Sequence, residues 1–322
     1  MQEAVIPPTK NSTAARLICP DDRSPLDRHD SAFACPRCGR RFPRIDNVVQ
    51  FLEVQDSFYE GAYLNQVHFV PKSERWFHLW PVWLINNGYV WRVRGNTKPG
   101  GAVLELGCAG GVSYFSNRYS MIGLDVSMAS LKAAATHYDI CIQADAAACI
   151  PLADESVDTV ASSFFWEHIP PAAKQTMLKE LRRVLKPGGR LVFLYDVETN
   201  NPLVSAMRRK SGSLYRAEFI DRDGHLGYEP PEANLSLFEK SGFKVVEQVG
   251  LEKTPLQSTT VYGKMKRWPQ PFAAAGNALT TIERSRATFF SYIGLLRALD
   301  ETVGRALPSR WARMALTVCE KV

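Results

Sequence analysis

The sequence has 322 residues, of which 45% are hydrophobic and 22% are charged. These values are ordinary for globular proteins, so the composition excludes a chain that is disordered throughout. The length suffices for one large domain or for a core with appended segments. The net charge is +6, but the basic residues lie in scattered clusters, which favours solvated surfaces over a nucleic-acid or anionic-substrate face.

The apolar runs and the cysteines of the sequence bear on the cellular compartment of the protein. We find no signal peptide and no apolar run long enough to span a bilayer, so a cytoplasmic location without a membrane span is expected. Three of the seven cysteines form an N-terminal cluster. This distribution indicates a metal site plus buried thiols and argues against a disulfide framework.

Residues 1–55 contain two knuckles, about fifteen residues apart, of the kind with which small zinc ribbons hold a tetrahedral ion. The second knuckle is a complete Cys-x-x-Cys pair, whereas the first has an aspartate where its second thiolate would fall. Because zinc also accepts carboxylate oxygen, the predicted ligands are Cys19, Asp22, Cys35 and Cys38, with His29 as an alternative fourth ligand. A ribbon that has lost its metal and is held by hydrophobic packing is the competing interpretation.

Residues 56–100 are rich in aromatic side chains and are predicted to form a helical cover. Three tryptophans, Trp76, Trp80 and Trp83, fall at helical spacing, although Pro81 would start or kink a helix there. Most of these rings are expected to pack on the core, and two or three to line an apolar ligand cavity.

A glycine-rich turn, which follows a short apolar strand at residues 103–106, organises the rest of the chain. Gly107 and Gly110 allow positive φ angles and let a ligand approach backbone N–H groups closely. A second strand ends in Asp125, and an acid at that position can accept two hydrogen bonds from the vicinal diol of a ribose. A third strand ends in Asp145. Strands that alternate with helices predict an α/β fold with a doubly wound sheet.

These pieces together resemble the class I S-adenosylmethionine (SAM) dependent methyltransferases, and especially their small-molecule enzymes. The matching segments keep the family's order and spacing over about residues 100–196, and they are the glycine turn, Asp125 and residues 145–146, 156–160, 166–169 and 181–189. The resemblance implies a Rossmann-like core of seven strands over residues 101–322, an antiparallel last strand at 314–319, and SAM as the cofactor. The N-terminal segment is similar to the short zinc ribbons fused to some methyltransferases.

The resemblance also assigns the contacts of SAM to individual residues. It gives the methionine half to Glu105, Gly107, Cys108 and Gly110, the ribose to Asp125, the adenine to Ser127, Met128, Asp145 and Ala146, and further cofactor contacts to Val126 and Ser163. Tyr63, or Tyr59 in its place, is expected to reach the SAM carboxylate. Cys108 is interpreted as a small spacer and not as a reactive thiol.

Candidates for proton transfer lie at the carboxyl end of the fourth core strand and in a later loop. Methyl transfer from a sulfonium is an in-line displacement, so a base is needed only for a hydroxyl, an acidic carbon or a protonated amine. Glu167 and His168 are the best placed, although they also suit a structural helix entry. His225 and Tyr228 are second-rank candidates, with solvent exposure as the alternative.

Two insertions, at about residues 199–230 and 250–310, are expected to form a substrate loop and a helical lid or homodimer surface. The leading hypothesis is methyl transfer to a small apolar or aromatic metabolite at oxygen, nitrogen or carbon. An RNA methyltransferase and a non-catalytic partner protein with a SAM fold are the alternatives. RNA is less favoured because no basic stripe with interleaved aromatic residues is evident.

Overall fold

A computed structural model describes residues 16–53, 59–60, 64 and 66–322. The predicted SAM ligand Tyr63 lies outside the described residues. The described N-terminal part forms a four-stranded ribbon of β1 (Asp27–Arg28), β2 (Ala32–Ala34), β3 (Arg41–Ile45) and β4 (Val48–Gln50). Two helices of the cover follow, α1 (Trp76–Leu84) and α2 (Tyr89–Asn96). Pro81 lies inside α1, and Trp76 and Trp80 are largely exposed, so these two rings do not pack on the core as expected.

The core alternates strands and helices as predicted. Its strands are β5 (Ala102–Leu106), β6 (Ser120–Asp125), β7 (Ile140–Gln143), β8 (Val157–Ser163), β9 (Leu185–Asp196), β10 (Phe243–Leu251) and β11 (Met314–Lys321). Its helices are α3 (Ser113–Ser116), α4 (Met128–Ala134), α5 (Pro171–Val184), α6 (Pro202–Lys210), α7 (Gly212–Arg216), α8 (Pro231–Lys240), α9 (Thr259–Met265), α10 (Phe272–Leu279), α11 (Arg286–Glu301) and α12 (Val303–Ala306).

The core strands are ordered β7-β6-β5-β8-β9-β11-β10, and the α/β Rossmann-like fold is confirmed. β11 runs antiparallel between β9 and β10, as expected for the last strand. The order reverses beside β5, so the carboxyl ends of β5 and β8 flank the crevice in which such sheets bind ligands.

The strand count differs from the predicted seven because the ribbon joins the core sheet. β4 pairs in parallel with β7, from Val48 opposite Cys141 to Gln50 opposite Gln143, and the sheet grows to eleven strands. Val48 and Val49 are fully buried. The ribbon is therefore packed as an extension of the core and not as a separate body.

The insertion at residues 199–230 also differs from the expected loop, because it contains α6 and α7 and a π-helical turn at Ala217–Asp221. Asn201 begins α6 by accepting a hydrogen bond from the N–H of Leu203, a usual N-cap contact. α6, α7 and α9 share a small apolar cluster around Trp268. Among the described residues, no helix has the length and apolar character to cross a membrane.

Candidate functional site

The glycine turn between β5 and α3 has a positive φ angle at Gly107, as expected, but its second glycine with a positive φ angle is Gly111 and not Gly110. Gly107 and Gly111 adopt φ angles of 58° and 80°, and Ala109 adopts 45°. A Cβ on Gly107 would lie 2.7 Å from Cδ2 of Phe165, so only glycine fits beneath that ring. The turn is tied to the neighbouring strand because the N–H of Gly107 donates to the carbonyl of Leu124 at 2.8 Å.

Asp125 lies at the tip of β6 and holds this turn from the side. Its Oδ2 accepts from the N–H of Ala109 at 3.0 Å, and its Oδ1 accepts from the N–H of Ser127 at 2.9 Å. Burial raises the pKa of Asp125, while the two N–H groups oppose that shift. Each carboxylate oxygen keeps a second lone pair, so the residue fits a ribose diol. The arrangement therefore suits the adenosyl group of SAM.

Glu105 and Cys108 lie below the turn. Glu105 is buried and accepts hydrogen bonds from the hydroxyls of Tyr89 and Tyr138. Burial raises the pKa of Glu105 to about 7, even though both hydroxyls favour the ionised carboxylate. Cys108 is also buried, and burial raises the pKa of its thiol. A protonated thiol agrees with the interpretation of Cys108 as a spacer.

The other residues predicted to bind SAM lie at or just after the carboxyl ends of β5, β6, β7 and β8. Val126 accepts from the side-chain amide of Gln143 at 3.0 Å, and Met128 is buried at the start of α4. Asp145 accepts from the N–H of Ala147 at 2.9 Å. Gly110 lies in the turn, Ala146 is buried, and Ser163 ends β8 half-buried. Contact of these residues with SAM stays a prediction.

One acid near this region was missed in the sequence. The carboxylate of Glu60 accepts from the N–H of Met128 at 3.0 Å and from the N–H of Ala129 at 2.9 Å. It thereby brings the cover segment onto the first turn of α4. A single glutamate gives no periodic signal, so sequence reasoning had no means of finding it.

The four proton-transfer candidates meet at the carboxyl end of β8. We call Glu167, His168, His225 and Tyr228 the polar cluster. The ring centroids of His168 and His225 are 5.4 Å apart, and Tyr228 stacks on His225, also at 5.4 Å. Glu167 and His225 are 1% and 7% exposed, which removes the expectation of solvent exposure for His225. Tyr59 contributes an edge contact to His168 at 6.0 Å and so reaches this cluster.

Backbone contacts bring together the turn that carries Glu167 and the loop that carries His225, which are distant in the sequence. The N–H of Gly227 donates to the carbonyl of Glu167 at 2.7 Å. A Cβ on Gly227 would lie 2.0 Å from the carbonyl oxygen of Ile169, so the loop rests directly on the turn that follows β8. The indole N–H of Trp166 in the same turn also donates to Oδ1 of Asn234 in α8 at 2.7 Å.

Two charged residues beside the polar cluster were also missed. Asp196 ends β9, and its Oδ2 lies 3.8 Å from Nε2 of His225. Arg313 pairs with Asp196 at 3.0 Å and with Glu252 at 2.6 Å. Asp196 follows the rule that identified Asp125 and Asp145, an acid at a strand tip, and that rule would have found it.

Burial sets the protonation of the polar cluster. It raises the pKa of Glu167 well above the ordinary value, and repulsion from Asp196 adds to this shift. Burial also lowers the pKa values of His168 and His225. The cluster therefore offers neutral imidazoles at neutral pH.

The predicted ribbon ligands lie together at the other end of the chain. The donor atoms of Cys19, Asp22, Cys35 and Cys38 all lie within 4.8 Å of one another. Sγ of Cys19 and Sγ of Cys38 are 3.6 Å apart, and Sγ of Cys35 is 3.4 Å from Oδ2 of Asp22. The alternative ligand His29 is exposed and does not belong to this group.

Comparison with known proteins places the central part of the chain in a family. Residues 104–193 match the family model described as a methyltransferase domain. The ubiquinone/menaquinone biosynthesis C-methyltransferase UbiE of Syntrophotalea carbinolica is 30% identical over 149 residues, which are 40% of this chain and 60% of that protein. The protein of the same name from Hahella chejuensis is 41% identical over 98 residues, which are 30% of this chain and 36% of that protein.

A solved structure also aligns, the phosphoethanolamine N-methyltransferase 2 of Haemonchus contortus with SAM. Its TM-score is 0.46 at 16% identity, and the alignment covers 73% of this chain and 52% of that chain. The present chain thus spans only part of the curated relatives that it matches, between 36% and 60% of the two described above.

The matched residues run from β5 to β9 and include the glycine turn, Asp125 and the turn that carries Glu167. The methyltransferase class predicted from the sequence is confirmed, with SAM as the cofactor of that class. The chain therefore contains a class I SAM-dependent methyltransferase domain.

Proposed function

We propose that the chain transfers the methyl group of SAM to a small acceptor that is largely apolar or aromatic and carries an oxygen substituent. The observation that carries this proposal is the polar cluster beside the glycine turn, in which Glu167 and His225 are buried and His168 and Tyr228 are half-buried. Phe165 contacts Gly107 and stands two positions before Glu167 in the sequence, so the two sites adjoin. A buried polar cluster next to a cofactor crevice is typical of a small-molecule site.

The chain's own residues would mainly position the reactants. Asp125 would hold the ribose and the glycine turn the methionine half, which fixes the direction in which the sulfonium methyl points. The acceptor must approach in line with the methyl and the sulfur, and exclusion of water from the crevice favours that geometry. Loss of the proton from an acceptor hydroxyl makes its oxygen, or a conjugated ring carbon, the nucleophile.

The relatives support an aromatic acceptor. Their names assign them C-methylation in ubiquinone or menaquinone biosynthesis. We therefore propose a hydroxylated aromatic ring as the acceptor class for this chain, with methylation at ring carbon or oxygen. RNA is the competing acceptor, and the following experiment separates the two.

We expect the purified full chain to transfer labelled methyl from SAM to a member of a panel of hydroxylated benzenes and naphthalenes with apolar substituents. Mass spectrometry of the products is the measurement, and ribosomal RNA is included as a parallel substrate. Tyr228→Phe should lower kcat about tenfold, because a hydroxyl at the acceptor is lost, and should leave the Kd for SAM unchanged. Labelled RNA with no labelled small molecule would contradict the proposal.

We also propose that Cys19, Asp22, Cys35 and Cys38 hold a structural zinc ion. Tetrahedral zinc with Zn–S bonds of about 2.3 Å separates its sulfur ligands by about 3.8 Å. The 3.6 Å between Sγ of Cys19 and Sγ of Cys38 is close to that separation. The ion would stabilise the ribbon and have no part in methyl transfer.

Cys35→Ser is expected to reduce the zinc content of the purified chain from one equivalent to almost none and to lower its melting temperature by several degrees. Elemental analysis and calorimetry measure both. Cys149→Ser is the matched control, because Cys149 is half-buried in the core and far from the ribbon ligands in the sequence. A full equivalent of zinc in the Cys35 variant would rule this site out.

A further inference from the structure

Glu167, His168 and His225 place one carboxylate and two imidazoles around a common point. Their donor atoms all lie within 4.8 Å of one another. A carboxylate and two histidines form a ligand set that divalent first-row transition metals use, with positions left open for a substrate. The burial and the hydrogen bonds of the three side chains also suit them to bind a metal ion.

Glu167 carries a buried carboxyl group that has no ion-pair partner among the described residues. It is 1% exposed, and within the described part of the chain no lysine, arginine or histidine forms an ion pair with it. Its Oε1 accepts from the N–H of Asp196 at 3.2 Å, and its Oε2 has no hydrogen-bond partner among the described residues. A carboxyl group removed from water keeps its proton, is paired with a cation or is bound to a metal, because an unpaired charge is costly in the interior.

A hydrogen bond to a carbonyl orients His168, and a carboxylate lies beside His225 without reaching hydrogen-bond distance. Nδ1 of His168 lies 3.0 Å from the carbonyl of Gly224 and donates to it, so Nε2 carries the lone pair. Nε2 of His225 faces Asp196, and Nδ1 of His225 is buried with no partner in the described residues. Metal-bound histidines are usually held in this way, with one nitrogen on a carbonyl or carboxylate and the other on the ion.

We propose that Glu167, His168 and His225 bind one divalent transition-metal ion of the Mn²⁺, Fe²⁺, Co²⁺ or Zn²⁺ class, and that this ion binds an oxygen of the acceptor next to SAM. The role given to the ion rests on the proposed function, whereas the site itself does not. In a metal site with bonds of about 2.1 Å, the donor atoms lie roughly 3 Å from one another. Rotation of the three side chains would bring their donor atoms to that separation.

The test is a titration of the full chain, with its ribbon loaded with zinc, with Mn²⁺ followed by electron paramagnetic resonance. Mn²⁺ is chosen because it prefers nitrogen and oxygen donors to the thiolates of the ribbon. We expect one Mn²⁺ to bind per chain. Glu167→Gln and His225→Ala should each weaken the affinity at least about tenfold. His68→Ala changes an exposed histidine outside the site and should leave the Mn²⁺ affinity unchanged.

Calorimetry with SAM shows that each variant is folded, and the nearly isosteric Glu167→Gln guards against loss of structure. Absence of Mn²⁺ and Co²⁺ binding up to about 1 mM, or wild-type affinity in both variants, would overturn the metal site. Mn²⁺ binding without methyl transfer to any small acceptor would count against the proposed function and in favour of the site. Methyl transfer by a chain that binds no ion would support the proposed function and contradict the metal site.

Discussion

Asp125→Ala is expected to weaken SAM binding at least about 100-fold, because a carboxylate that accepts two hydrogen bonds from a ribose diol contributes roughly 3 kcal/mol. The same side chain also holds Ala109 and Ser127 by their N–H groups. The substitution therefore loosens the glycine turn as well as removing the partner of the ribose. Isothermal titration calorimetry with SAM is the measurement.

Asp139 offers a matched control at the other end of β6. Its Oδ2 accepts from the N–H of Met121 at 2.8 Å, a bond of the same kind as those of Asp125. Asp139→Ala should cost comparable stability and leave the Kd for SAM within about twofold of the wild type. Unchanged affinity in the Asp125 variant, or equal losses in both variants, would remove Asp125 from the cofactor site.

Glu105 is expected to make the stability of the SAM-free chain depend on pH. Its pKa rises from 4.5 to about 7 on folding because the carboxyl is buried. Between these values the folded state keeps a proton that the unfolded state has released. The free energy of unfolding contributed by Glu105 therefore falls as the pH rises from 4.5 to 7 and is level above that. The loss amounts to about 3 kcal/mol.

Urea unfolding of the wild type and of Glu105→Gln at pH 5 and pH 8 measures this effect. The glutamine cannot ionise, so the stability of the wild type relative to the variant should fall between the two pH values. Other buried acids affect both proteins equally and cancel in the difference. Glu53→Gln, at an exposed position on the ribbon, should follow the wild type. Parallel curves for wild type and Glu105→Gln would contradict the assignment.

The sequence was sufficient for the parts of the fold and site that depend on local patterns. Strand tips followed by acids located Asp125 and Asp145, and the glycine spacing located the turn under Phe165. The four members of the polar cluster were also named from the sequence, although more than fifty positions separate His168 from His225. A resemblance to known enzymes supplied that link, since no periodicity connects the two segments.

What the sequence did not reveal arises from long-range contacts. Glu60 caps α4 from an irregular segment, and Arg313 reaches Asp196 and Glu252 from the start of the last strand. The parallel pairing of β4 with β7 likewise depends on an edge that exists only after the core has assembled. Such contacts are set by the folded surface and leave no trace in spacing or composition.

The pairing of β4 with β7 has a consequence for how the chain must be handled. A truncated protein that starts at the cover would expose the unpaired N–H and C=O groups of β7 along an apolar edge, where a second molecule can add a strand. Shortened versions should therefore self-associate during purification. If the proposed zinc ion holds the ribbon in place, its removal should lower the solubility of the chain before it lowers the rate of methyl transfer.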